Sequence, residues 1–210
     1  MGVRFKICGL TKPREAGYLN EAGADYAGFV FYGPSKRHVT FEKAREIRGY
    51  LDPSIRTVAV LVSPDAGLVE EAQAEGFDII QVHGDLGEEA YHALSVPLWR
   101  ALNVKAEDGE GKILERLRGP DCGDKCAGIL LDAANFGSGK TFDWEKAKNI
   151  RRYLGKKQWI LSGGLDAGNV AEGIRLLSPD IVDVSSGVEG EEGKDKDKVF
   201  TFAERVRHYG

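Results

Sequence analysis

Thiols, imidazoles, carboxyls and amines are the groups that move protons or hold anions near neutral pH, and here they recur where short apolar runs end. Lys6 and Cys8 close the first run, Gln81 and His83 the fourth, and Asp132 the sixth. Ser162-Gly163-Gly164 closes the seventh, and Asp183-Val184-Ser185-Ser186-Gly187 the eighth. Cys8 and Asp132 suggest a base and an acid. An unperturbed thiol, with a pKa near about 8.5, is only slightly ionised at pH 7, so Cys8 needs a nearby cation such as Lys6, or a helix end, to act as base. Asp132 must be held protonated, by burial or a neighbouring negative charge, to act as acid.

Gly163-Gly164 precedes a helical stretch, and Ser185-Ser186-Gly187 follows the next strand. Backbone without side chains lets amides approach a phosphate, hydroxyls add donors, and a helix start favours the negative charge. Lys36 and Arg37, after the second run, offer a clamp for a second anion, the arginine with a fork suited to a carboxylate. Each feature also has a plainer reading. A strand cysteine or histidine is more often a packed core residue, GG and SSG are common turns, and Lys36-Arg37 could be a solvated pair. What favours a site is convergence at five strand ends.

Convergence requires elements that bring those ends together. Strands are expected near Arg4 to Cys8, Asp25 to Phe31, Arg56 to Val62, Asp78 to His83, Leu98 to Leu102, Gly128 to Asp132, Gln158 to Ser162 and Ile181 to Ser185. Between them lie stretches of helical period near Pro13 to Ala22, up to Leu51 from a cap at Thr40, after an N-cap at Ser63-Pro64-Asp65, and near Glu88 to Leu94. Others fall near Gly111 to Arg118, Trp144 to Leu154, Asn169 to Leu177 and Lys198 to His208. Gly23, Gly76 and Gly155 mark helix ends. Runs such as Gly28 to Phe31 and Gly128 to Leu131 are apolar without alternation, the mark of parallel strands covered on both faces. Eight strand-plus-helix units in 210 residues fit an α/β fold, a single-domain (β/α)8 TIM barrel spanning residues 1–210. Its structural rival is a doubly wound open sheet, which usually carries G-x-G-x-x-G in the first turn; Cys8-Gly9-Leu10-Thr11 lacks it. Ala134 stands where a nucleotide P-loop around Gly139-Lys140-Thr141 would need glycine.

Composition narrows the partners. With 29 Lys and Arg against 33 Asp and Glu, the net charge is -4, which gives no electrostatic reason to bind nucleic acid. Apolar runs such as Val58 to Val62 fall far short of a bilayer span, and the first residues do not read as a signal peptide, so a cytoplasmic location is expected. Three cysteines suit a reducing compartment, and Cys122 and Cys126, four apart in a polar loop without a second ligand pair, give no case for a metal.

Several blocks together resemble a known family: Lys6-Ile7-Cys8-Gly9; Gly28-Phe29-Val30-Phe31 with Ser35-Lys36-Arg37; Gln81-Val82-His83-Gly84; and Leu131-Asp132 with Gly137-Ser138-Gly139 and Phe142-Asp143-Trp144. To these add Ser162-Gly163-Gly164-Leu165 with Asn169-Val170, and Asp183 to Glu189 with Gly193-Lys194-Asp195. In this order they are similar to the phosphoribosylanthranilate isomerases of tryptophan biosynthesis. The resemblance implies a barrel that performs an Amadori rearrangement of N-(5-phosphoribosyl)anthranilate, an aldose-ketose isomerisation without metal or organic cofactor. It implies that Asp132 is the general acid opening the ribose ring to a Schiff base and that Cys8 is the base removing the C2 proton. It further implies that Arg37 faces the anthranilate carboxylate, that Gly163, Gly164, Ser185 and Ser186 hold the phosphate, and that Gln81 and His83 line the site. Lys6 and Asp183 are expected to border the substrate. The partner is then a small molecule, and the assembly a monomer or homodimer.

Some stretches depart from the pattern. Lys36 stands where the family often has proline. The segment Pro120 to Cys126 reads as a surface embellishment, and the charged run Glu191 to Lys198 as a solvated connection. Two alternatives remain: another sugar-phosphate isomerase barrel, expected to carry a carboxylate in place of Cys8, and a catalytically silent barrel that binds a phosphorylated metabolite.

Overall fold

The structure, a computed structural model, describes residues 2–104, 108, 110–133 and 144–210. Eight parallel strands are joined in chain order: β1 (Arg4–Cys8), β2 (Tyr26–Val30), β3 (Arg56–Val62), β4 (Ile79–His83), β5 (Leu98–Val104), β6 (Cys126–Ala133), β7 (Gln158–Leu161) and β8 (Ile181–Val184). β8 pairs with β1, with Phe5 opposite Val182 and Lys6 opposite Asp183, so the sheet closes into a barrel and the open-sheet alternative is excluded. Closure removes both sheet edges and collects all strand C-termini on one rim.

Strand parity divides the core in two. Cys8, Tyr26, Val58, Val60, Ile79, Trp99, Ala101, Leu130, Ile160 and Ile181 fill the barrel interior. Neighbours of opposite parity, among them Phe5, Ile7, Phe29, Leu61, Ile80 and Leu131, pack outward against the helices. Two apolar faces per strand explain why the runs do not alternate. Gly28 and Gly128 make room within the interior. A side chain at Gly28 would meet Cys8 Sγ and Lys6 Cε at 2.9 Å, and one at Gly128 would meet Trp99 at 2.7 Å.

The covering helices are α1 (Pro13–Ala22), α2 (Phe41–Arg48), α3 (Ala66–Ala74), α4 (Glu88–Ala93), α5 (Glu110–Leu117), α6 (Val170–Leu177) and α7 (Lys196–Tyr209). Thr40 caps α2 through Lys43 N–H, as expected. Gly23, Gly76 and Gly155 take left-handed backbone with φ of 61°, 78° and 59°. Three expectations need correction. The cap of α3 is Asp65, which accepts from Leu68 N–H, whereas the Ser63 hydroxyl accepts from Asp85 N–H. The stretch from Trp144 to Leu154 is not one α-helix but two 3-10 turns, Trp144–Ala147 and Ile150–Tyr153. Between α5 and β6, a third 3-10 turn, Pro120–Cys122, is no surface embellishment. Cys122 and Cys126 are buried, and Asp121 pairs with the buried Arg100.

A hairpin that the sequence reading passed over follows β8. After a 3-10 turn at Ser186–Val188, β9 (Glu189–Gly190) and β10 (Gly193–Lys194) pair antiparallel, with Lys194 opposite Glu189. Glu15 anchors it. One carboxylate oxygen accepts from Lys194 N–H at 2.8 Å, and the other accepts from Thr11 and Lys12 N–H at the start of α1. Within the charged run Lys194 is buried, while Glu191, Glu192, Lys196, Asp197 and Lys198 are exposed as expected.

Candidate active site

The inward parity of β1 brings Lys6 and Cys8 into the barrel, one above the other. Lys6 is fully buried, and its ammonium donates to Asp183 Oδ2 at 2.9 Å and to Gln81 Oε1 at 2.8 Å. The Cys8 thiol also lies within its field. Burial alone would strip the charge from Lys6, but the Asp183 carboxylate and Cys8 together hold its pKa above the ordinary lysine value. Burial raises the Asp183 pKa, against the pull of Lys6; with an ammonium 2.9 Å away, the ionised pair is the state the geometry supports. Asp183 Oδ1 is buried and accepts no hydrogen bond among the described residues.

The same chain of bonds fixes His83. Lys6 donates to the Gln81 oxygen, so the Gln81 amide nitrogen faces His83 Nε2, 2.8 Å away, and that ring nitrogen must accept. The proton then sits on Nδ1. Burial, reinforced by Lys6 and Arg100, pushes the His83 pKa down to about 3, so the imidazole is neutral. Arg100, which the sequence pattern does not single out, lies on β5 with outward parity, is buried beneath the covering layer and donates to the carbonyls of Val82, Ala101 and Gly84, bracing the chain as it leaves His83. Only its placement in space identifies it, since an arginine in an apolar strand carries no local signal.

Cys8 is buried at the top of β1. Burial raises its pKa above the ordinary thiol value; Lys6 and Lys194 pull the other way, Asp183 adds to the rise, and burial prevails. Two ammonium groups thus act on the thiol without bringing its pKa below the ordinary value. Asp132 lies near the end of β6, two residues beyond the interior-facing Leu130 and opposite Asn103 in register. The described side chains thus give Cys8 and Asp132 the same inward parity at one rim. Gly137-Ser138-Gly139 and Phe142-Asp143, which the sequence reading grouped with Asp132, lie outside the described residues.

The glycine turn after β7 takes left-handed backbone. Gly163 and Gly164 follow β7 with φ of 85° and 68°, conformations that L side chains rarely adopt. Asn169 clamps the turn: its amide donates to Gly164 C=O at 2.8 Å, and its side-chain oxygen accepts from Asp166 N–H at 2.9 Å. The loop after β8 packs directly on this one, since a side chain at Gly187 would lie 2.0 Å from Leu165 C=O. Ser186 opens the 3-10 turn. The Ser185 hydroxyl is engaged internally. It donates to Cys8 C=O at 2.9 Å and tethers β8 to β1.

Arg37 sits 15% exposed beside Gly9, with its aliphatic stem where a Gly9 side chain would be. Its guanidinium grips Glu189, Nε to Oε1 and Nη2 to Oε2. Lys36 and Lys194 contact the same carboxylate at 3.0 and 2.9 Å. Glu189 was absent from the sequence reading as a site residue. The Glu189 pKa falls to about 2 because Arg37, Lys194 and Lys36 outweigh the burial that opposes them.

The rim thus carries a thiol between two ammonium groups, an inward carboxyl, a glycine-rich turn and an arginine fork. Among the described residues, no three His, Cys, Asp or Glu side chains are grouped to hold a metal ion, and no helix is long and apolar enough to cross a membrane. Comparison with known proteins agrees along the whole chain. The family model for N-(5'-phosphoribosyl)anthranilate isomerase matches residues 5–205. The isomerase of Streptococcus gordonii is 37% identical over 206 residues, covering 98% of both chains. Monomers generated from the dimeric Thermotoga maritima enzyme superpose with a TM-score of 0.79 at 35% identity, over 98% of this chain and 99% of that one. A phosphoribosylanthranilate isomerase in complex with reduced 1-(o-carboxyphenylamino)-1-deoxyribulose 5-phosphate is 32% identical with a TM-score of 0.81 and the same coverage. A barrel of this topology and a match of this extent leave one assignment: the chain belongs to the N-(5'-phosphoribosyl)anthranilate isomerase family.

Proposed function

We infer that this chain catalyses the reaction of its family, the isomerisation of N-(5'-phosphoribosyl)anthranilate in tryptophan biosynthesis, with Asp132 as acid and Cys8 as base. Asp132 protonates the ribose ring oxygen as the ring bond breaks and C1 becomes a protonated Schiff base. Cys8 takes the proton from C2, the electron pair forms the enolamine double bond, and tautomerisation gives the ketone. The observation that carries this reading is Cys8 itself, set against Lys6 and within the field of Lys194 on a rim it shares with Asp132. Burial keeps the resting Cys8 a thiol, and Lys6 and Lys194 oppose that burial, lowering the cost of the thiolate that must form before it takes the C2 proton.

The two anionic ends of the substrate fit the two sides of the rim. The Gly163-Gly164 turn and the Ser185-Ser186 segment receive the phosphate, and Arg37 receives the anthranilate carboxylate. Lys6, Gln81, His83 and Asp183 form a hydrogen-bonded floor that bears on the sugar between them. Binding both ends sets the reacting carbon and oxygen near base and acid, an orientation effect that can supply several kcal/mol of the barrier. The chemistry needs no cofactor. The barrel is taken as one domain over the whole chain, acting as a monomer or as a homodimer like the Thermotoga maritima relative. Decay of anthranilate fluorescence after mixing with freshly made phosphoribosylanthranilate tests the activity, and no decay above the uncatalysed rate would overturn it.

A further inference from the structure

Arg37 and Lys194 are both withdrawn from solvent, 15% and 1% exposed at the side chain, yet they share one carboxylate, Glu189. Two partly desolvated cations on a single anion are under-compensated, and the exposed Lys36 on the same carboxylate adds further positive charge. A purely structural ion pair would balance. The imbalance leaves room for a second anion.

Where that anion sits follows from the fork. A guanidinium can hold a carboxylate bidentately along its Nε/Nη2 edge or along its Nη1/Nη2 edge. Glu189 occupies the first, and Arg37 Nη1 donates to none of the described residues. Lys194, the cross-strand partner of Glu189, donates to Ser185 C=O at 3.1 Å and contacts the Ser185 hydroxyl at 3.3 Å, and that hydroxyl donates to Cys8 C=O. One continuous chain therefore runs from Arg37 through Glu189, Lys194 and Ser185 to the backbone of Cys8.

We propose that Glu189 and Lys194 are positioning residues: Glu189 holds one edge of Arg37 so that the Nη1/Nη2 edge receives the ring carboxylate of the substrate, and Lys194 ties that edge to the strand bearing Cys8. This deepens the function proposed above and rests on Arg37 meeting the carboxylate. The hairpin that carries both residues is held to α1 by Glu15, so the arrangement is built before any ligand arrives.

The test is calorimetric titration with two probes: the reduced carboxyphenylamino-deoxyribulose phosphate, and the same molecule without the ring carboxylate. Glu189→Ala should weaken the carboxylated probe about tenfold, a magnitude typical of a lost charge-assisted orientation, and leave the other within about twofold. Glu189→Asp should recover part of the loss, and Arg37→Ala with Glu189→Ala should bind no worse than Arg37→Ala alone. In turnover, Glu189→Ala should raise KM far more than it lowers kcat. Equal weakening of both probes, or of neither, overturns the proposal. If the unmodified protein fails to distinguish the probes, the assignment of Arg37 to the carboxylate is wrong, and the proposal falls with it.

Discussion

Lys6 and Asp183 form an ion pair of 2.9 Å within the barrel, with the lysine fully buried and the aspartate 5% exposed. Removing one member leaves the other charge uncompensated where water cannot reach it. Lys6→Met should cost about 3–5 kcal/mol of stability, and the double change Lys6→Met with Asp183→Asn should recover part of it. Urea denaturation of the single and double variants checks this, and a single variant as stable as the parent would contradict the pairing.

Gly163 adopts φ of 85°, so Gly163→Ala forces a side chain into left-handed backbone and should cost about 1–2 kcal/mol. If the turn also seats the phosphate, affinity for the product analogue should fall. Gly155→Ala is the control. It carries a similar penalty at φ 59°, just before β7 and so at the opposite end of the barrel, with open space around its missing side chain. It should lower thermal stability without changing analogue affinity, and equal losses of affinity in both variants would argue against a phosphate seat.

His83 remains neutral in the folded chain down to about pH 3, whereas an unperturbed histidine takes up a proton near 6.5. As pH falls below 6.5 the unfolded chain binds a proton that the folded chain refuses, so this group lowers stability progressively between pH 6.5 and 3. The loss should reach about 2 kcal/mol by pH 5. Comparing urea midpoints at pH 7 and pH 5 checks it: His83→Gln should flatten the pH dependence, and an unchanged slope would mean that the imidazole is protonated when folded.

Much of this was legible in the sequence because parallel strands buried on both faces advertise themselves as unbroken apolar runs, and because Lys6, Cys8, Gln81, His83 and Asp183 end those runs. Parity and strand closure then do the rest. The 3-10 turns between Trp144 and Tyr153 were not legible, since helical period does not distinguish a continuous helix from two tight turns. Nor was the role of Glu189, Lys194 and Glu15. A charged run looks solvated until register pairs Lys194 with Glu189 and folds the hairpin onto α1, and those contacts join residues up to 179 apart in the chain. Arg100 and Asp121 escaped notice for the same reason.

Cys8 and Asp132 are the groups proposed to move the protons. Single-turnover fluorescence decay of phosphoribosylanthranilate with Cys8→Ser and with Asp132→Asn measures this directly, alongside titration of the product analogue. Each variant should react at least about a hundredfold more slowly while binding the analogue nearly as the parent does. Turnover within a few-fold of the parent in either variant would contradict the account for that residue.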